Sequence, residues 1–129
     1  MPLGVCVSTW ISVALRVESL GGAAASLHGH DYRVKACVED SLAEDNTVID
    51  HYRLLSMLEE CASSLDHRYL NEALGVRDAT AEILVSRIRG CLEEKLASTG
   101  RSLHLVYLEA CTATGYCSYY RAGVPGIPE

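Results

Sequence analysis

Two long stretches of strict alternation near the amino end, 3–17 and 27–39, do most to limit how this chain can fold. In the first, the odd positions run Leu3, Val5, Val7, Thr9, Ile11, Val13, Leu15, Val17, while the even ones include Cys6, Ser8, Trp10, Ser12, Ala14 and Arg16. A period of two with β-branched enrichment marks a strand. In the second, His28, His30, Tyr32, Val34, Ala36 and Val38 share one face, and Asp31, Arg33, Lys35 and Glu39 share the other. Two long strands with one apolar face each call for a sheet covered on one side. The second strand also opens with two imidazoles pointing the same way, a spacing at which both can reach one metal ion. Gly29 between them leaves the opposite face bare, which suits a close backbone approach or a twist.

The 129 residues are enough for one domain with a real core and too few for two. A net charge of −6, with no cluster of Lys and Arg, argues against nucleic acid or an anionic membrane as the main partner. The cysteines, Cys6, Cys37, Cys61, Cys91, Cys111 and Cys117, fall in apolar segments without metal-type spacing. They are expected to be reduced, buried, small hydrophobes in a cytoplasmic protein. The apolar run 5–17 mimics a signal peptide, but it lacks a basic start, is followed at once by Glu18 and alternates like a strand. No stretch reaches the length of a transmembrane helix.

Glu18 to Ser26, with Gly21-Gly22 and three alanines, reads as a flexible loop, and 40–47 as a turn. Leu54, Leu55, Leu58, Cys61, Ala62 and Leu65 recur at helical spacing behind Asp50, a natural N-cap. After an irregular stretch, 65–71, Asp78 or Thr80 should cap a second helix whose Ala81, Leu84, Val85, Ile88, Leu92 and Leu96 form one stripe ending at Thr99-Gly100. Segments 103–111 and 116–121 are two further strands. The order strand, strand, helix, helix, strand, strand gives an α+β fold, an antiparallel sheet with both helices on one face. A single domain over 1–121 and a loosely held tail over 122–129 complete the expectation.

The stretches LHGHDYRVKACVE, VIDHYRLL, SLDHRYLNE, ATAEIL and VYLEACTATGYCSYY, in that order along nearly the whole chain, resemble the 6-pyruvoyltetrahydropterin synthase and 6-carboxytetrahydropterin synthase family. The resemblance implies the tunnelling fold (T-fold): ββααββ subunits that close a barrel by oligomerising, as trimers stacked into hexamers, with active sites between subunits. It implies a carbon–oxygen lyase that eliminates triphosphate from a substrate of the dihydroneopterin triphosphate type, on a route to tetrahydrobiopterin or queuosine. His28 and His30 match two of three zinc ligands. Asp66 and His67 match a catalytic couple in which the carboxylate orients an imidazole acting as acid or base. Glu109 matches the pterin anchor, since two carboxylate oxygens suit the two donors on a pterin's edge. Thr80 and Glu82 match the helix start beside the substrate. Duller readings exist for each: a helix-end cap for Asp66 and His67, a structural salt bridge for Glu109, and simple capping for Thr80.

Two positions depart from the family. The third zinc ligand falls on Leu15, which cannot bind metal, and the catalytic cysteine falls on Ala24. Zinc should therefore be weakly held or lost, unless His51, His104 or Glu109, by way of a neighbouring subunit, supplies a donor. His51 reads as a packing substitution, and His104 lies on the strand face opposite Glu109 by parity. Either the protein is still a lyase of this type, or it is a degenerate relative that keeps the fold, the assembly and a pterin pocket without the zinc and thiol chemistry. In both readings the two imidazoles, Glu109 and the Asp66–His67 couple converge on one cleft when protomers associate.

Overall fold

The computed structural model describes residues 3–123. The two alternating stretches form β1 (Leu3–Leu15) and β2 (His28–Asp40), which pair antiparallel along their full length, from Leu3 opposite Asp40 to Leu15 opposite His28. Between them, the segment expected to be a flexible loop carries a short 3-10 turn (Glu18–Leu20) and a four-residue helix, α1 (Gly22–Ala25). Gly21 and Gly22 adopt positive φ there, a conformation that glycine takes without steric cost.

Helix α2 (His51–Ser63) starts at Asp50, whose side chain accepts the Tyr52 N–H. Helix α4 (Ala81–Ala97) starts at Thr80, whose hydroxyl accepts the Ile83 N–H. Asp78, the other candidate cap, instead accepts from the backbone and hydroxyl of Ser19 and fastens the loop after β1. The stretch expected to be irregular contains a two-residue strand, β3 (Arg68–Tyr69), and a short helix, α3 (Leu70–Leu74). Strands β4 (His104–Thr112) and β5 (Cys117–Arg121) follow α4. The sheet order is β3-β1-β2-β4-β5, antiparallel except where β3 runs parallel to β1 at Val13 and Ala14. An α+β fold with both long helices against one side of the sheet is the architecture that the alternation required.

The core lies between those helices and the sheet. Leu54 and Leu58 of α2 and Leu84, Ile88, Leu92 and Leu96 of α4 are buried against Val34, Ala36, Val38 and Leu108. The opposite sheet face stays open, with Trp10 56% exposed on it. Of the tail expected at 122–129, residues 124–129 lie outside the described residues, while Ala122 donates its N–H to the Val106 carbonyl.

The cysteine expectation is overturned. All six are paired, as Cys6–Cys37, Cys61–Cys91 and Cys111–Cys117. Cys6 faces Cys37 across β1 and β2, and Cys111 faces Cys117 across β4 and β5. Cys61 and Cys91 tie α2 to α4. Spacing along the chain hid partners that the sheet register and the helix packing bring together.

Candidate functional site

The histidine pair sits where β2 begins, on the helix-covered face. The His28 and His30 ring centroids are 5.0 Å apart, edge to face. An ion about 2 Å from one nitrogen of each ring would put the centroids about 5 Å apart, so the spacing fits a shared ion. His28 Nδ1 lies 2.7 Å from the Ser26 carbonyl. A carbonyl only accepts, so Nδ1 is the donor here and in the neutral ring Nε2 keeps its lone pair, the orientation by a backbone carbonyl that accompanies metal-binding imidazoles. Burial, with His28 beside it, holds the His30 pKa below its ordinary value.

The two rings line a recess of ≈ 350 Å³ together with Leu15, Tyr32, Thr80 and Glu82. Burial, then the nearby Glu82 carboxylate, pushes the Tyr32 phenol up. Glu82 Oε1 accepts from the Ser118 hydroxyl at 2.9 Å. A larger concavity of ≈ 1390 Å³, between the end of α4 and the start of β4, touches none of His28, His30, Thr80, Asp66, His67 and Glu109.

Asp66 and His67 lie at the outer edge of β1. Asp66 Oδ1 accepts the Ser12 N–H at 2.7 Å, and the His67 N–H returns to the Ser12 carbonyl at 2.7 Å. The other Asp66 oxygen holds His67 Nδ1 at 3.0 Å. The Ser12 N–H, aided by His67, keeps the Asp66 carboxyl below the usual range. His67 has φ 58, uncommon for a non-glycine residue, and its ring is 82% exposed. The couple is a carboxylate that fixes one ring nitrogen and presents the ring to solvent.

Glu109 stands in the middle of β4 on the open face, opposite Lys35 of β2 and Tyr119 of β5. Its side chain is only 12% exposed. Oε2 pairs with Arg33 Nη2 at 3.1 Å and Oε1 accepts the Tyr107 hydroxyl at 3.0 Å. Burial, with that bond, raises the Tyr107 pKa. The salt bridge offered as the dull reading of Glu109 is therefore present.

One placement read from sequence is corrected. Tyr107 faces Cys37, Leu105 faces Val38, and Val106 is the extra residue of a β-bulge. The bulge reverses parity, so His104, opposite Glu39, shares the open face with Glu109, opposite Lys35. No hydrogen bond joins His104 to the carboxylate, and the His51 ring lies tilted against Tyr52, with centroids 4.3 Å apart.

Within one protomer the expected residues thus form three groups. His28, His30 and Thr80 share the recess on the helix-covered face, Glu109 lies on the open face, and Asp66–His67 holds the sheet edge. Sequence reasoning missed Asn71, 8% exposed, whose Oδ1 accepts the Arg16 N–H at 2.9 Å while Nδ2 donates to the Arg16 and Arg77 carbonyls at 2.9 and 2.8 Å. Its signal was present: an amide between Leu70 and Leu74, both buried, has to be satisfied.

The family model for 6-pyruvoyl tetrahydropterin synthase matches residues 5–122. The chain belongs to that family. It is 34% identical over 98 residues to a Synechocystis 6-carboxy-5,6,7,8-tetrahydropterin synthase, covering 71% of this chain and 74% of that protein. A putative enzyme of the same name from Archaeoglobus fulgidus is 30% identical over 69 residues, 54% of this chain and 58% of that one. Among solved structures, the Caenorhabditis elegans 6-pyruvoyl tetrahydropterin synthase superposes with a TM-score of 0.80 at 16% identity, over 95% of this chain and 97% of that chain. The Plasmodium falciparum enzyme gives 0.72 at 18%, over 94% and 99%. These likenesses confirm the T-fold.

The family's zinc fits this chain only in part. His28 and His30 are spaced for it, but directly across from His28 stands Leu15, 3% exposed and part of the core. Ala24 packs against the same core from α1 and offers no thiol. Among the described residues the one group of three metal-ligating side chains within 4.8 Å is Glu109, Cys111 and Cys117, two of them joined as a disulfide. Two imidazoles are not the three-ligand set that a catalytic zinc requires.

Proposed function

We propose that this protein binds a reduced pterin at a boundary between protomers, anchored by Glu109, and that Asp66–His67 is its proton-transfer couple. The substrate class is a dihydropterin with a triphosphorylated side chain. Elimination breaks the carbon–oxygen bond to triphosphate as His67 takes a proton from the adjacent carbon, with Asp66 holding the imidazolium that forms.

One observation carries the binding half: a carboxylate 12% exposed on an otherwise open sheet face, held between Arg33 and Tyr107. An ionised carboxylate has about four acceptor positions. Two direct donors leave room for the amino and ring N–H of a pterin. Assembly as a homo-oligomer, trimer or hexamer, is part of the proposal, because Glu109 and the histidine recess lie on opposite faces of one sheet.

The specific test is pterin affinity of native protein against Glu109→Gln, measured by fluorescence titration; equal affinities reject the anchor. Sedimentation velocity on the same samples should show trimers or hexamers. Native protein and His67→Ala would then be incubated with dihydroneopterin triphosphate. Equal product from both removes His67 from the mechanism. The mass of any product separates a carboxyl side chain, as on the queuosine route, from a pyruvoyl one, as on the tetrahydrobiopterin route.

A second reading, a pterin-binding or structural relative without turnover, is favoured by the packing of Leu15 and Ala24 into the core. Tight pterin binding with no product from the native chain would establish it.

A further inference from the structure

We propose that the β4–β5 hairpin carries a second, thiol-dependent cation site. It consists of Glu109, Cys111 and Cys117, forms when the Cys111–Cys117 disulfide is reduced, and takes a thiophilic divalent ion such as zinc.

The three donors come from neighbouring positions on one face. Cys111 follows Glu109 by two residues along β4, and Cys117 faces Cys111 directly from β5, with Cα atoms 4.0 Å apart. The side-chain ligand atoms of all three lie within 4.8 Å of one another. Cys111 Sγ is 2.7 Å from Glu109 Oε2. While the disulfide is intact that sulfur has no proton to donate, so two lone-pair-bearing atoms face each other. Reduction changes this. A dithiol reductant supplies two electrons and two protons, its own sulfurs become a disulfide, and the hairpin gains two thiols. Cys117, which is exposed, offers the sulfur for that exchange, while Cys111 is 7% exposed.

Once the two thiol protons leave, two thiolates and a carboxylate would bring three negative charges together against Arg33, which pairs with Glu109, and Lys35, opposite it in register. The balance is then negative, which suits a divalent cation. A zinc ion entering the site displaces the two thiol protons and gains two sulfur ligands and one oxygen, leaving a fourth position open. Cys117 also borders the recess that holds His28 and His30, but Glu109 and Cys111 stand on the other face of the sheet, and the site stands whether or not Glu109 also binds a pterin.

Cobalt(II) is the probe, because cobalt–thiolate charge-transfer absorption reports sulfur ligation and is silent for imidazole alone. The His28→Ala/His30→Ala protein would be titrated with cobalt, oxidised and after dithiol reduction, with folding followed by circular dichroism. We expect about one cobalt per protomer with charge-transfer absorption in the reduced protein and none in the oxidised one. Glu109→Gln should weaken binding at least about tenfold, the lower bound seen when even an outer partner of a ligand is removed. Cys111→Ser/Cys117→Ser should abolish the absorption, although Cys6, Cys37, Cys61 and Cys91 remain. Persistence of the band in that double variant would assign it to other cysteines and overturn the site. A folded reduced protein that takes up no cobalt, or one that unfolds on reduction, overturns it equally.

Discussion

Replacing Leu15 by histidine should destabilise the metal-free protein and make its stability depend on zinc. Leu15 is 3% exposed and lies opposite His28 in the β1–β2 register. Losing its burial costs about 2 kcal/mol. An imidazole left without a partner in that pocket adds about 1–3 kcal/mol. The sum, about 3–5 kcal/mol, is a large part of the roughly 5–15 kcal/mol that holds a typical domain together. With zinc, the new side chain faces His28 and completes a three-imidazole set. If the dissociation constant reaches about 1 nM, then about 10 µM free zinc stabilises the fold by about 5.5 kcal/mol through mass action, cancelling the defect. Urea unfolding of native and variant chains, with chelator and with buffered zinc, measures both effects. A metal-free variant as stable as the native chain would show that Leu15 does not pack as described. An equal zinc response in both would show that the native ligand set was already complete.

Three further outcomes are expected. Asn71→Ala strips partners from the Arg16 N–H and from the Arg16 and Arg77 carbonyls, which should cost about 2–4 kcal/mol in urea unfolding; a loss below about 0.5 kcal/mol would mean that water replaces the amide. Removing the Cys61–Cys91 disulfide by double alanine substitution frees a loop with sequence separation 30 and should cost about 3.5 kcal/mol on the chain-entropy relation, read from the unfolding midpoint. The lowered His30 pKa means that the unfolded chain binds this proton more readily than the folded one. Its contribution is thus complete above the unfolded value of about 6.5 and lost as pH falls below it towards the folded value. In chelator-treated protein, His30→Gln should flatten the fall in stability on acidification below about pH 6.5, and an unchanged slope would place the titration elsewhere.

What could be read from sequence follows from which interactions are periodic. The alternation of β1 and β2 and the stripes of α2 and α4 are repeated signals of burial, and each became the element that its period implied. Single side chains that satisfy single backbone groups leave no period. Asn71, the Asp78 clamp on Ser19 and the Ser12 bonds that seat Asp66 and His67 all escaped for that reason. The disulfides were illegible for another: Cys6 and Cys37 meet only because thirteen residues of β1 lie in register with β2. His104 failed through a single inserted residue, because one bulge at Val106 exchanges the two faces of everything before it.

The residues matched to the family's site also differ in what the fold asks of them. Asp66 closes the edge of β1 through Ser12, Glu109 is bound by Arg33 and Tyr107, and Thr80 caps α4. Substituting any of these three would cost stability. Leu15 and Ala24, at the positions where the resemblance implies a ligand histidine and a thiol, contribute apolar contact to the core, and a histidine or a thiol there would gain little from the fold when no ion or substrate is bound. Retention of Asp66, Glu109 and Thr80 is therefore weaker support for turnover than their number suggests, because structure alone can account for keeping them. His67 is different. Its ring is 82% exposed and its backbone sits at φ 58, so folding gains little from an imidazole at that position, and the side chain that stability explains least is the one on which catalysis has to be tested.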